Sequence, residues 1–279
     1  MQSTLEFTKL EGCGNHFILI DACRSPYVIN HLQPELITQL CRSNFGIGAD
    51  GILVLKQAQT HSKSSQANFE MLVYNADGSI AQMCGNGLRC LVRYLQSDYG
   101  LFDTQNHAYI HTGAGPLRVE LMSYNFGEDR MNSIQQFIGV EMNWPSIQEC
   151  VRFEDLDFEI LNLGNPHYVT YNFDNFSSRA KLAEKWSNLI SDGVNLSFAQ
   201  QISPKALNLH VHERGCGWTL ACGTGACATV YTGYKMGLFE LGQPIEVNLP
   251  GGQLIIEIQK NCLWMWGPAN EIFRGQAKL

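Results

Sequence analysis

The sequence predicts an α/β fold of the α+β type, with two pseudo-symmetric halves, each a mixed, largely antiparallel β-sheet or barrel wrapped around a central helix. Cys-Gly-x-Gly occurs twice before a helical segment, at residues 84–87 and 222–225, which are 138 positions apart in a chain of 279 residues. Other features recur in the same order at nearly this offset. Many short apolar runs and few helices favour a largely antiparallel sheet. An internal duplication explains the repetition.

The first half consists of short apolar segments separated by glycine-rich turns. Residues 7–20 predict two strands joined by a glycine turn, and Pro34 stands near the start of a predicted helix at 36–40. A polar loop is predicted at 57–68. The remaining predicted elements are strands at 52–55, 71–74, 109–111 and 117–121, and a helix at 88–96.

The second half repeats this order. Residues 164–167 (GNPH) echo residues 14–16 (GNH), and the glycine pairs 100/237 and 115/252 share an offset of 137. The predicted elements are helices at 179–190 and 226–236, and strands at 207–212 and 254–258. A polar segment at 123–132 suggests the boundary, so the predicted halves are 1–122, with the tail 268–279 returning to it, and 123–267.

Charge and composition exclude several functional classes. The net charge is −7 and the isoelectric point is about 5.6, which argues against binding to nucleic acid or to an anionic membrane surface. The amino terminus has no signal-peptide pattern and no apolar run approaches the ~20 residues of a membrane span. We therefore expect a cytoplasmic protein. The ten cysteines include no Cys-x2-Cys pair, so we expect no metal site.

The repeated cysteine motif predicts a reactive thiol at a helix terminus. The first N–H groups of a helix have no intrahelical partner and carry partial positive charge. A thiol placed there should have a lowered pKa, and the N–H groups beside the glycines should bind an anion such as a carboxylate. Both effects apply at Cys84 and at Cys222.

The duplication suggests how the two thiols work together. If Cys84 and Cys222 face each other across a cleft, an amino acid can place its carboxylate against both helix ends and its α-carbon between the sulfurs. One thiolate then removes the α-proton, and the opposite thiol delivers a proton to the other face. The product is the mirror-image centre, and the helix ends stabilise the charge that develops in the transition state.

The chain resembles the diaminopimelate epimerase family. Residues 75–79 with 83–90 look like its first signature, and residues 213–215 with 220–228 look like its second; residues 164–167 and 249–252 also fit. The resemblance covers nearly the whole chain. It implies an isomerase without cofactor or metal that converts LL- to meso-diaminopimelate for lysine and peptidoglycan-precursor biosynthesis. It also implies two pseudo-symmetric halves and a homodimer.

The resemblance also implies roles for individual residues. Cys84 and Cys222 are the catalytic acid/base pair. His167 and Glu213 tune or orient the reacting groups. The implied substrate-binding residues are the backbone of Gly85, Asn86, Gly223 and Thr224 for the α-carboxylate, and Asn15, Asn75, Asn165, Asn195, Glu213 and Arg214 for the rest of the molecule. Several amides and an arginine fork suit a substrate with two carboxylates and two ammonium groups.

Three residues depart from the family pattern, and other functions stay open. His16 stands where the family has aspartate, Trp218 where it has glutamate, and Cys216 separates two glycines. The first alternative is a cofactor-independent racemase of another amino acid. The second is a non-catalytic protein that binds a small zwitterion. A pyridoxal-phosphate enzyme is disfavoured, because no lysine stands in a suggestive motif.

The cysteines themselves have alternative interpretations. A single buried thiol usually fills space in a core, and this reading is favoured for Cys90 and Cys227 within their helices. Cys84 and Cys222 are distinguished from them by the duplicated motif. Oxidation of this pair to a disulfide is expected to inactivate the protein.

Overall fold

The computed structural model describes residues 4–58, 67–125, 134–154, 156–171, 183–186 and 193–278. The chain forms two compact units. The first comprises Met1–Val140 with Gly267–Leu279, and the second comprises Glu141–Trp266.

The first unit contains a 3₁₀ helix, Pro26–His31, and two α-helices, α1 (Pro34–Cys41) and α2 (Gly85–Tyr99). Its strands along the chain are β1 (Thr4–Gly12), β2 (Asn15–Asp21), β3 (Gly51–Gln57), β4 (Phe69–Asn75), β5 (Ile80–Ala81), β6 (His107–Thr112), β7 (Gly115–Asn125) and β8 (Ile134–Met142).

The second unit contains the helix α3 (Gly223–Lys235), and residues 183–186 are helical. Its strands are β9 (Ser146–Phe153), β10 (Leu156–Asn162), β11 (Pro166–Thr170), β12 (Asn195–Ser203), β13 (Ala206–Glu213), β14 (Gly217–Thr219), β15 (Pro244–Leu249), β16 (Gly252–Ile258) and β17 (Leu263–Gly267). The last strand, β18 (Asn270–Lys278), belongs to the first unit.

The two units share one pattern of strand pairing. In the first, β1–β2 and β3–β4 are antiparallel, while β2–β3 and β4–β6 are parallel. In the second, β10–β11 and β12–β13 are antiparallel, while β11–β12 and β13–β15 are parallel. The short strand β5 pairs with β4, as β14 pairs with β13. The outer strand β18 pairs with β1, as β9 pairs with β10. The predicted fold of two pseudo-symmetric halves is confirmed.

Each unit is built around one buried helix. Nine of the first ten residues of α2 are buried, and α3 is buried over most of its length. Helix α2 packs against β1, β2, β3, β4 and β18, and α3 packs against β10, β11, β12 and β16. Both helices begin with glycines, whose missing side chains let the sheet approach the helix terminus.

Aromatic packing completes the core of the second unit. Trp186 is 1% exposed, and its ring meets Phe158 edge-to-face and stacks on Phe198. Both phenylalanines are fully buried. In the first unit, α1 buries Ile37, Leu40 and Cys41 against the aliphatic core of β2 and β3. Each unit therefore has its own apolar core.

The helices and strands predicted from sequence overlap observed elements of the same type where the structure describes those residues. Helices α2 and α3 begin three residues earlier than predicted, because the glycine-containing segments after each cysteine are already helical. Of the predicted helix at 179–190, only residues 183–186 are described, and they are helical. Most of the predicted loop at 57–68 lies outside the described residues. The strands β5, β8, β9, β10, β11, β12, β14, β17 and β18 have no counterpart among the predicted strands.

The boundary drawn from sequence between residues 122 and 123 falls inside β7. Strand β7 pairs with β8 from Val119 to Asn125, so the hairpin arm extends beyond this point, and the compact first unit runs to Val140. The return of the carboxyl-terminal strand to this unit is achieved by the antiparallel pairing of β18 with β1. No helix among the described residues is long and apolar enough to cross a membrane.

Candidate active site

Cys84 lies at the amino terminus of α2. It is the N-cap residue, with an extended backbone (φ −141°), and its Sγ accepts a hydrogen bond from the Gly87 amide at 3.4 Å. The thiol is partly buried, and Gly85 and Asn86 are buried beside it. A side chain at Gly87 would lie 3.5 Å from this sulfur and 2.8 Å from Leu53. The glycine therefore lets the helix terminus pack closely against β3 and the cysteine.

Two of the predicted substrate-binding residues of the first unit lie on neighbouring strand ends. Asn15 begins β2, and its Nδ2 donates to Asp50 Oδ2 at 2.8 Å. Asn75 ends β4 opposite Gly51, the residue after Asp50, and its Nδ2 donates to Ser79 Oγ at 2.9 Å. The parallel pairing of β2 with β3 brings these residues together.

Cys222 holds the equivalent position in the second unit. It is the N-cap residue of α3, with an extended backbone (φ −126°), and it is 5% exposed. Its Sγ lies 3.6 Å from Thr224 Oγ1, and it hydrogen bonds with the Glu213 carboxylate. Thr219 Oγ1 donates to the same carboxylate at 2.5 Å. The sulfur thus has a hydroxyl on one side and a carboxylate on the other.

His167 extends this network away from the sulfur. Its Nε2 lies 2.9 Å from Thr224 Oγ1 and 3.1 Å from Asn165 Oδ1. An amide oxygen only accepts hydrogen bonds, so this arrangement places the ring proton on Nε2. The ring is fully buried, and burial lowers the pKa of His167 to about 3. The imidazole is therefore neutral at physiological pH and acts as a fixed hydrogen-bonding group.

Asn195 and Arg214 are joined by a second, shorter network. Asn195 is 5% exposed, its Nδ2 donates to the Pro166 carbonyl at 2.9 Å, and its Oδ1 accepts the Arg214 amide at 3.0 Å. It pairs with His167 across the parallel strands β11 and β12. A side chain at Gly193 would lie 2.7 Å from Arg214 Cγ, so this glycine gives the arginine its space. The structure brings the predicted residues of the second unit together, Gly223 included.

Burial decides the protonation of Cys222. It raises the pKa of the Cys222 thiol well above its usual value, and the neighbouring Glu213 charge raises it further. The Gly225 amide and the Thr224 hydroxyl lower the pKa, but they do not offset the loss of solvation. The expectation of a lowered thiol pKa is therefore wrong for Cys222, since a helix terminus supplies only partial charge and the sulfur is cut off from water. Burial also raises the pKa of Glu213.

A tight turn supports the segment before each cysteine. In the first unit, a side chain at Gly113 would lie 2.8 Å from the carbonyl oxygen of Gln82, two residues before Cys84. In the second unit, the Gly251 amide donates to the carbonyl of Leu220, two residues before Cys222, at 2.8 Å. The predicted turn glycines therefore hold equivalent places behind the two cysteines.

The three departures from the family pattern have different surroundings. His16 is exposed, and its amide donates to Asp50 Oδ2 at 2.7 Å. Cys216 is exposed in the turn between β13 and β14. Trp218 packs against Phe198 and meets the His212 ring edge-to-face at 5.3 Å. Trp218 thus contributes to the apolar core of its unit.

Three supporting residues were missed from sequence. Asp50 holds both Asn15 and the backbone of His16, Thr219 binds Glu213, and Arg89 hydrogen bonds to Asn86. Asp50 stands in a glycine-rich segment and Arg89 in the first cysteine motif, so both were visible as motif residues without a role. Within the described ranges, no cluster of three or more His, Cys, Asp or Glu side chains is arranged to hold a metal ion.

Comparison with known sequences identifies relatives over the full length. A profile of the family described as diaminopimelate epimerase matches residues 7–129 and 160–272. The chain is 34% identical over 286 residues to the diaminopimelate epimerase of Nitrosospira multiformis, covering 99% of both proteins. It is 36% identical over 294 residues to the diaminopimelate epimerase of a Synechococcus species, again covering 99% of both.

Solved structures with low sequence identity share the fold. A hydroxyproline epimerase from Agrobacterium vitis with bound trans-4-hydroxy-L-proline superposes with a TM-score of 0.72 at 14% identity, covering 100% of this chain and 94% of that one. A PhzF-family phenazine biosynthesis protein from Bacillus anthracis has a TM-score of 0.71 at 13% identity, covering 99% of this chain and 100% of that one.

Proposed function

The chain belongs to the diaminopimelate epimerase family, and from this premise we propose that it interconverts LL- and meso-diaminopimelate by proton transfer through Cys84 and Cys222. The observation that carries the proposal is the equivalence of the two cysteines. Each is the extended N-cap residue of the central helix of its unit, with a glycine directly after it. The enzyme is accordingly an isomerase that acts on a small molecule.

The proposed reaction inverts one α-carbon with two bases. One cysteine, as thiolate, removes the α-proton and becomes a thiol; the other thiol donates its proton to the opposite face and becomes a thiolate. No electrons are transferred and the substrate composition is unchanged. The raised pKa of Cys222 keeps this residue protonated, so it is suited to donate the proton when Cys84 acts as the base.

The helix termini stabilise the charge that forms during the reaction. Removal of the α-proton moves negative charge onto the substrate carboxylate. We assign this carboxylate to the backbone amides of Gly85 and Asn86 and of Gly223 and Thr224, where helix N–H groups have no intrahelical partner. Because these dipoles are already oriented by the fold, they stabilise the transition state without reorganisation.

The remaining substrate groups need polar side chains. The proposed set is Asn15, Asn75, Asn165, Asn195, Glu213 and Arg214. Asn195 and Arg214 are already joined by a hydrogen bond, and Asn15 is held by Asp50. An arginine fork is suited to the distal carboxylate. The neutral His167 supports the Cys222 side through Thr224.

Further parts of the proposal concern the setting of the enzyme. It follows from the family that the product serves lysine and peptidoglycan-precursor biosynthesis. We propose a cytoplasmic homodimer that needs no cofactor. Sedimentation of the purified chain as a monomer across the micromolar range would contradict the dimer.

The test follows the conversion of LL- to meso-diaminopimelate in heavy water, together with the solvent deuterium that enters the α-carbon of the product. Cys84→Ala and Cys222→Ala should each lower the epimerisation rate by at least about 100-fold, the usual contribution of one acid or base. The matched controls are Cys90→Ala and Cys227→Ala, which remove buried thiols from the same two helices. Full activity in either of the first two variants would refute the two-base assignment.

A second function is favoured by one observation. His16 and Trp218 differ from the family pattern, and His16 follows the proposed substrate residue Asn15. These residues support the alternative of a cofactor-independent racemase for another amino acid. A panel of amino acids assayed in heavy water separates the two functions, because exchange at diaminopimelate alone would exclude the alternative. Binding of a zwitterion with no exchange would instead indicate a non-catalytic protein.

A further inference from the structure

Arg89 is a fully buried arginine in the second turn of α2. It is 0% exposed, although arginine is rarely buried in full. Its guanidinium Nη2 donates to Asn86 Oδ1 at 2.9 Å and to Cys13 Sγ at 3.7 Å, and its Nε donates to the Pro268 carbonyl at 3.3 Å. One side chain therefore connects three separate segments of the first unit.

Two of these segments carry proposed substrate-binding residues. Asn86 is one position from the helix terminus and two from Cys84. Cys13 lies in the turn between β1 and β2, two residues before Asn15, and it has a positive φ of 54°, which is uncommon for a residue with a side chain. Arg89 therefore contacts a turn whose backbone conformation needs support from its surroundings.

Close packing shows that this turn lies directly on the helix. A side chain at Gly12 would lie 3.3 Å from Cys90 Sγ, 3.4 Å from the Asn86 carbonyl oxygen and 3.6 Å from Arg89 Nη2. The other face of the turn is held by Glu11, whose Oε2 accepts the Gly14 amide at 3.1 Å. The turn is thus placed between a carboxylate of its own strand and the buried guanidinium.

We propose that Arg89 is a positioning residue, which holds the turn at residues 12–15 in register with the first turn of α2. It thereby sets the position of Asn15 relative to Asn86 and Cys84. The consequence for catalysis rests on the proposed function. Planar guanidinium geometry suits this task, since one nitrogen donates to both Asn86 and Cys13 while another reaches the backbone. A flexible ammonium would make only part of these contacts.

Arg93 provides a matched control one turn further along α2. Its Nε donates to the Ala269 carbonyl at 3.0 Å, so it anchors the same carboxyl-terminal segment as Arg89. Its Nη1 donates to Gln96 Oε1 at 2.7 Å and to Gln136 Oε1 at 2.9 Å. These contacts are directed toward β8 rather than toward Asn86 and Cys13. Loss of Arg93 should therefore destabilise the unit without moving the turn.

The experiment compares Arg89→Met, Arg89→Lys and Arg93→Met in the full chain. Hydrogen–deuterium exchange measured by mass spectrometry should rise at least 10-fold in rate for peptides covering residues 10–20 in Arg89→Met. Arg93→Met should leave these peptides unchanged and increase exchange around β8. In kinetics with diaminopimelate, Arg89→Met should lower kcat/KM by about 10- to 100-fold, mostly through a higher KM, because misplaced binding groups weaken substrate binding.

The outcomes separate the positioning role from general stability and from the function itself. Arg89→Lys should have a lower KM and slower exchange at residues 10–20 than Arg89→Met, but should not reach the values of the wild type. Equal exchange at residues 10–20 and equal KM in Arg89→Met and Arg93→Met would overturn the proposal. If the wild-type chain does not epimerise diaminopimelate, the proposed function fails, while the exchange data still decide the positioning role. If Arg89→Met does not fold, Cys13→Ala removes the sulfur acceptor alone and should increase exchange in the same peptides.

Discussion

Replacing Thr224 by valine tests how the protein stabilises charge on Cys222. The Thr224 hydroxyl lies 2.9 Å from His167 Nε2 and 3.6 Å from the Cys222 sulfur. Valine has nearly the same shape, so the change removes the hydroxyl and leaves the packing. The hydroxyl lowers the pKa of Cys222, which means that it favours the thiolate. Its loss should raise this pKa and the barrier to reaction.

The size of the effect follows from hydrogen-bond energies. A hydrogen bond to a charged group contributes about 1.5–3 kcal/mol. At about 1.4 kcal/mol per tenfold change in rate, kcat/KM should fall by about 10- to 150-fold. Stability should change less, by about 1 kcal/mol, because one neutral hydrogen bond of His167 is lost while Asn165 keeps its own. A large kinetic effect with a small stability effect is therefore expected.

The assay follows epimerisation from LL- and from meso-diaminopimelate. Both directions should lose the same factor in kcat/KM, because a mutation cannot change the equilibrium constant of the reaction. Thr229→Val is the matched control on the same helix. The Thr229 hydroxyl is buried and has no hydrogen-bond partner among the described residues, so this variant should keep its activity and stability.

Two results would contradict this role of Thr224. The first is a kcat/KM for Thr224→Val within threefold of that for Thr229→Val. The second is a loss of stability that matches the loss of activity, which would indicate that Thr224 supports the fold and not the thiolate. Thermal unfolding of both variants, measured beside the kinetics, distinguishes these cases.

Two further predictions concern stability. His167 has a pKa of about 3 in the folded protein, whereas a histidine in the unfolded chain has a pKa of about 6.5. Between these two pH values the unfolded chain binds one more proton than the folded protein. The free energy of unfolding therefore falls as the pH drops through this range. His167→Gln should make the pH dependence of the free energy of unfolding shallower by about 1.4 kcal/mol per pH unit between about pH 6 and 4. Urea titrations at several pH values measure this free energy, and an equal change with pH in both proteins would contradict the prediction. A side chain at Gly51 would lie 2.5 Å from the Tyr74 carbonyl oxygen, so Gly51→Ala should cost about 3 kcal/mol. A side chain at Gly237 would have no atom within 4 Å, but the φ of this residue is +77°, so Gly237→Ala should lower the free energy of unfolding by about 1 kcal/mol. Thermal unfolding that shows Gly237→Ala to be less stable than Gly51→Ala would be inconsistent with a rigid pair of strands at Gly51.

Much of the fold could be predicted, because the same short sequence motifs occur in both halves of the chain. Cysteine followed by glycine marks the start of each central helix, and turn glycines mark the hairpins behind each cysteine. Strands such as β9 and β18 were missed, because they carry many exposed polar residues. Strand β18 pairs with β1 from the opposite end of the chain.

The family, the isomerase class and the repeated cysteine motif could be predicted from sequence, since these depend on residue types at short, repeated spacings. What surrounds the two cysteines depends on how distant segments pack. Parallel pairing of β2 with β3 places Asp50 on Asn15, and burial keeps Cys222 protonated although a helix terminus alone would favour its thiolate. Solvation and long-range pairing depend on segments far apart in the chain, and a local pattern contains neither.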